Sequence, residues 1–243
     1  PVICLMVSYF MGRPPQHCSC KQKKTKINPP MSERTHNEEA GDKLAKAVSK
    51  LFHPLIMPTY GMIFLAVLSS ATILALPLMV NLEVIFLFFV LTFLLPVLAI
   101  YFLVLNKRID DLEVSNRKQR NTPYVIAILS ALVTLYLFGG MYRYLFPFQL
   151  LSAYLFSVVA AAIVNKFTKV SAHAMGCGAM NCFLFMINLH TGTRYFWLFV
   201  ASILVSGLVC SARLRLNQHN EFQVGLGFIL GICTTFAAFF VGI

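Results

Sequence analysis

Seven apolar runs of about membrane-crossing length, separated by short polar segments, leave this chain few options other than a bundle of transmembrane helices. In lipid there is no water to bond backbone N–H and C=O groups, and a helix satisfies its own. The runs cover about 55–76, 84–105, 124–140, 148–164, 173–189, 197–210 and 222–243. The expected fold is therefore all-α: a polytopic transmembrane helical bundle of six to seven spans, occupying 51–243. Composition points the same way, with 12% charged residues and a mean hydropathy of +0.74, against roughly 25% charged in soluble domains.

A net charge of +11 would suit nucleic acid, but the Lys and Arg sit in short loops and in the N-terminal tail without interleaved aromatics. A membrane surface explains them better, so membrane lipids and not nucleic acid are the expected partners. Residues 1–50 read as a disordered basic tail that ends in a short amphipathic helix over 37–51, acids first and Lys later, lying on the membrane surface. The apolar start, residues 1–11, is too short to span and has no basic region before it, so it fails as a signal peptide. Met31 is the expected natural start, with 1–30 upstream of it. His17, Cys18 and Cys20 could ligate a metal but lack a fourth ligand, so no metal or cofactor is expected. Cys177, Cys182, Cys210 and Cys233 lie in apolar runs, where an unpaired thiol is usually a small buried hydrophobe.

The first span opens on HPLIMPTYG, where His53 and the prolines read as fixing how a helix begins rather than as chemistry. The second is almost wholly Leu, Phe, Val and Ile and should face lipid. The polar segment 106–123 follows, with Arg117 and Arg120 three apart, as on one helical face. Spans three and four form a hairpin around 141–147, with Arg143 and its Tyr neighbours as interfacial anchors. Lys166 and Lys169 then lead to Ser171-Ala172-His173 and a fifth span rich in Gly176, Gly178, Ala179 and other small residues, which belongs inside the bundle. Spans six and seven flank a polar island, 211–227, in which His219 follows Arg213 by six residues. With seven spans, 106–123, 166–173 and 211–221 all fall on one side of the membrane. An Arg fork that cannot lose its charge and a neutral imidazole, gathered at a lipid-water boundary, suit the phosphate of a lipid.

These three clusters resemble the type 2 phosphatidic acid phosphatase superfamily, membrane enzymes that remove phosphate from lipids. Its signature is Lys-x6-Arg-Pro, then Pro-Ser-Gly-His, then Ser-Arg-x5-His-x3-Asp. Arg213 and His219 match the third motif, Gly227 falls where a Gly usually follows, and Ser171-Ala172-His173 stands for Ser-Gly-His. The resemblance implies that His219 is the nucleophile that forms a phosphohistidine, that Arg213 holds the phosphate and that His173 protonates the leaving alcohol. It also implies that Ser171 and the backbone N–H groups beside it bind phosphate oxygens. The first motif keeps Pro123, but Thr122 and Ser115 stand at its Arg and Lys positions. Arg117, Lys118 and Arg120 are expected to take over. Gln223 stands at the Asp position: it can orient the imidazole but brings no charge. The substrate implied is a lipid phosphomonoester or diphosphate, and the setting a bacterial inner membrane.

Two other readings stand beside this one. A non-catalytic protein that binds or moves lipid phosphates on the same scaffold would explain Gln223 and Thr122. An intramembrane prenyltransferase would explain 110–123 but needs a second acidic cluster, and after Glu113 the only acid is Glu221. Eighteen of the twenty Lys and Arg lie on the motif-bearing side, which the positive-inside rule would put in the cytosol. The motif cations serve chemistry, so orientation stays open.

Overall fold

A computed structural model of the chain describes residues 36–68, 78–110, 117–142 and 146–241. Among the described residues all regular structure is helical. Helix α1 (His36–Leu51) is followed by a 3₁₀ turn at Pro54–Ile56 and by α2 (Met57–Leu68). Next come α3 (Leu78–Phe89), a π turn at Val90–Leu94, α4 (Leu95–Leu105) and a 3₁₀ turn at Arg117–Arg120. The remainder is α5 (Asn121–Tyr142), α6 (Phe146–Val164), α7 (Ala172–His190), α8 (Phe196–Arg215) and α9 (Glu221–Val241). Seven helical segments among the described residues are long and apolar enough to cross a membrane. The chain is a multi-pass helical membrane protein.

Helix α7 is its axis. Of its most apolar stretch 72% is buried, against 28–44% for the other six spans. Phe183, Leu184 and Ile187 on α7 lie at the centre of the main core, with Met62, Leu65, Phe88, Leu151, Val209 and Phe239 around them. The small residues of α7 permit this position. A Cβ at Gly178 would stand 2.1 Å from the Phe228 carbonyl oxygen, and one at Gly231 of α9 would stand 2.1 Å from that of Met175. The helices thus touch backbone to backbone, the close approach that small residues allow in lipid. Asn181 adds a polar tie to α8, its Nδ2 donating to Ser206 Oγ at 3.0 Å and its Oδ1 accepting from Ser202.

The long second span carries its own irregularity. Leu95 N–H bonds Val90 O rather than the Leu91 oxygen it would meet in an α-helix, which makes the π turn, and Pro96, the next residue in that register, has no N–H to give Leu91. The Leu91 oxygen is taken by the Ser130 hydroxyl of α5.

Helix α1 departs from expectation. Rather than resting alone on the membrane surface, it packs against α8 and continues through a break into α2, the two forming the first candidate span, Glu39–Val67. Ala45 and Ser49 are buried, Val48 and Phe52 join the main core, and Asp42 pairs with Arg215 Nε at 3.0 Å. The Tyr60 hydroxyl donates to Leu51 O at 2.9 Å across the break. The amphipathic pattern is real, but its small buried face fits a helix partner better than a lipid surface. Residues 1–35, with His17, Cys18, Cys20 and the expected start at Met31, lie outside the described residues, as does Arg143.

Candidate active site

The polar island of the sequence is mostly helix. Helix α8 runs on through Arg215, α9 begins at Glu221, and only 216–220 form a turn, with Asn217 at positive φ. Arg213 therefore projects from the last turn of α8, where a cation meets the negative end of the helix dipole. Asn220 caps α9, its Oδ1 accepting from Gln223 N–H at 2.9 Å. Ser171 caps α7 in the same way, its Oγ accepting from Ala174 N–H at 3.4 Å.

These ends converge. Arg120, His173, Arg213 and His219 line one cavity of about 180 Å³. Its walls belong to Ala127 of α5, Leu150, Ala153 and Val158 of α6, and Ala179 and Phe183 of α7. Among the described residues no Asp or Glu lines it. Both arginines are buried, at 8% and 3% exposure, which long cations seldom tolerate without a function or a partner. Arg120 donates from Nη1 to Val170 O at 3.1 Å and also bonds the Tyr124 hydroxyl. It thereby joins the start of α5 to the residue preceding the Ser171 cap. Lys169 Nζ donates to Gln218 O at 3.1 Å, and Ser171 N–H to Gln223 O at 3.3 Å, so the second and third motifs are also laced together through backbone.

The hydrogen bonds set the imidazole tautomers. Gln223 Oε1 lies 3.0 Å from His219 Nδ1 and accepts its proton, which leaves the His219 Nε2 lone pair bare. Ser49 O, a carbonyl that can only accept, lies 3.1 Å from His173 Nε2. Any proton that His173 passes to another group therefore travels through Nδ1. Burial holds the His219 imidazole down at about 4; the Gln223 bond works the other way, and Lys169, Arg120 and Arg213 add to the lowering. At neutral pH the ring is uncharged. Linkage gives a test, since a depressed imidazole contributes stability that is whole above the ordinary value of about 6.5 and is lost as pH falls through about 4. Thermal stability should fall over that window by up to about 3 kcal/mol, and His219→Gln should flatten the slope. An equal slope in the variant would contradict the assignment.

The site residues expected from sequence divide into three groups. His219, His173, Arg213 and Arg120 come together on the cavity. Gln223 and Ser171 stand behind it: Gln223 orients His219, and Ser171, fully buried, caps the α7 N-terminus. Arg117 and Lys118 share the 3₁₀ turn with Arg120, but their side chains lie outside the described residues. Glu221 is exposed and Thr122 is exposed, so neither reaches the cluster.

His53 fixes the helix start as expected, its Nδ1 accepting from Leu55 N–H at 3.4 Å, but sequence reasoning missed what else it meets. It lines the same cavity, and its ring stands edge-on to that of His173, centroids 5.6 Å apart and planes at 81°. Its signal was a His in the break between an amphipathic helix and an apolar one, which reads equally well as a helix start.

Fold and site together define a multi-pass helical membrane protein with a cationic, histidine-bearing cavity that runs from one end of the bundle into its apolar interior. No protein-family model matches the chain, and neither a curated protein nor a solved structure does.

Proposed function

We propose that this chain is a membrane lipid phosphatase, a divergent member of the type 2 phosphatidic acid phosphatase superfamily, which hydrolyses a lipid phosphomonoester or diphosphate through a phosphohistidine on His219. The observation that carries the reading is the cavity, which joins two arginines and two motif histidines to an apolar sleeve. From His173 to Phe183 the sleeve follows α7 for ten residues, about 15 Å at the helical rise of 1.5 Å per residue. That is half of a hydrocarbon core of about 30 Å. An amphiphile with an anionic head at the Arg and His end and an apolar chain in the sleeve fits both halves; a water-soluble phosphate uses only one.

In this mechanism Arg213 and Arg120 neutralise the phosphoryl oxygens, and the N-terminus of α7 adds its dipole. His219 Nε2 attacks phosphorus in line. The bond from phosphorus to the lipid oxygen breaks, and that oxygen takes the Nδ1 proton of His173, which enters the step as the imidazolium, having gained its second proton from a monoanionic head group while Nε2–H stays on Ser49 O. Water then attacks the phosphohistidine, giving its proton to His173, and phosphate leaves. Gln223 aims the nucleophile but adds no negative charge to stabilise the phosphorylated ring. By the same resemblance the membrane is the inner membrane of a bacterium.

The neutral Gln223 also favours a second reading, a protein that binds or moves lipid phosphates without turning them over. Phosphate release by the purified protein in detergent with EDTA present, across lipid monophosphates and diphosphates, separates the two. Release at least about a hundredfold above the uncatalysed background is expected. Saturable binding without release would leave the binding protein in its place.

A further inference from the structure

The segment joining α1 to α2 does more than connect them. Ser49 O holds His173 Nε2, and four residues later the His53 ring stands against the His173 ring. The backbone then turns through Pro54–Ile56, with Pro54 at the start of the turn and Ile56 N–H bonded to His53 O at 3.0 Å. This turn presses on the first turns of α7. A Cβ at Gly176 would lie 3.1 Å from Met57 Cγ and 3.7 Å from Pro54 Cα, so the bare α-carbon at 176 is what lets the turn sit beside His173.

His53 itself is fixed from several directions. Leu55 N–H points to its Nδ1 at 3.4 Å. A backbone N–H can only donate, so Nδ1 is the acceptor and the ring proton is on Nε2. Phe93 packs edge-on at 6.2 Å and His173 at 5.6 Å. As a helix cap, His is a poor choice beside Ser, Thr, Asp or Asn, which would serve the Leu55 N–H as well. Capping alone does not explain an imidazole that lines the same cavity as Arg120, Arg213 and His219. Among the described residues no set of three His, Cys, Asp or Glu is placed to hold a metal, so the three histidines do not form a metal cage.

We propose that His53 is a third histidine of this site, a phosphate-binding residue whose Nε2–H donates to an oxygen of the bound phosphoryl group. The assignment rests on the lipid phosphatase reading above and extends it to a part of the chain that none of the three motifs covers. In chemical terms the ligand is a phosphate monoester or diphosphate on a lipid, held by two Arg forks and a neutral N–H donor. The segment that delivers the donor also fixes the acid, through Ser49. Helix α1 and the turn after it are thereby a working wall of the site.

Two substitutions separate the donor from the cap. In His53→Asn the amide oxygen takes the place of Nδ1 and still caps Leu55 N–H, while the Nε2 donor is gone. In His53→Gln the amide nitrogen reaches the place of Nε2, and the cap is gone. The full chain in detergent is titrated with dodecyl phosphate, and in parallel with inorganic phosphate, while thermal midpoints are recorded without ligand. His53→Asn should keep the parent midpoint and bind both ligands about tenfold to a hundredfold more weakly, the range for a hydrogen bond to a charged group. His53→Gln should recover part of that affinity at a lower midpoint. Parent-like affinity in His53→Asn, beside a parent that binds and hydrolyses dodecyl phosphate, would overturn the His53 assignment alone. A parent that binds neither ligand would overturn the phosphatase reading and this one with it.

Discussion

His219→Gln should reduce phosphate release from every lipid phosphate by about a thousandfold or more, the loss expected when a covalent nucleophile is removed. Binding should survive. The Gln amide reaches the place of Nε2 and can still donate to a phosphate oxygen, but it loses the Gln223 bond made by Nδ1 and has no lone pair able to attack phosphorus. Arg120 and Arg213 remain in the cavity to hold the head group. Radiolabelled lipid phosphate followed by an alkaline quench should therefore trap labelled protein in the parent and none in the variant. His173→Ala should behave differently, since it removes the proton donor and leaves the nucleophile. Its loss should be large with a lipid alcohol as leaving group and smaller with a phosphorylated one, which needs less protonation to depart. Sustained release by His219→Gln would sink the phosphohistidine mechanism outright.

Gly231→Val should be the most damaging single change outside the site. The first added carbon would stand 2.1 Å from Met175 O and 2.8 Å from Ala179 N, both backbone atoms of α7 that no rotamer change can move. Overpacking of a side-chain core usually costs about 1–3 kcal/mol, and a clash with backbone on the central helix belongs at the upper end or beyond. The damage should also reach the chemistry. Gly227, one turn away on the same face, would put a Cβ 2.6 Å from Ser171 O, and Ser171 N–H bonds Gln223 O at 3.3 Å, so the α7 and α9 contact sets where His219 stands relative to His173. Gly207 of α8 is the control, because a Cβ there meets nothing within 4 Å. Gly207→Val should keep the parent thermal midpoint while Gly231→Val lowers it by several degrees and lowers phosphate release too. Equal midpoints for the two would show that α7 and α9 are not packed as described.

The spans were legible because hydrophobic runs of this length have one stable arrangement in lipid, and even the central place of α7 could be read from Gly176, Gly178 and Ala179. Arg213 and His219 were legible by spacing: six residues take the chain from the end of one helix across a tight turn to the start of the next, a local geometry. The role of α1 was not. Its pattern states that one face is apolar and leaves open whether lipid or protein covers that face. Asp42 meets Arg215 at a separation of 173 residues, and Ser49 meets His173 at 124, contacts on which local pattern has no hold. Ser171 left a similar choice: a hydroxyl just before a helix can bind a ligand or cap the helix, and here its Oγ faces Ala174 N–H.

What the amino-acid order by itself determined is a multi-pass helical bundle with three polar clusters on one side, since solvent preference acts on each segment separately. Which side chains share a cavity was decided only by tertiary packing. Arg120 reaches Val170 across 50 residues, and His53 reaches His173 across 120, because glycines on α7 and α9 let backbones approach until these groups meet. Imidazole tautomers and buried charge depend on neighbours within a few ångströms, and for this chain those neighbours come from distant segments.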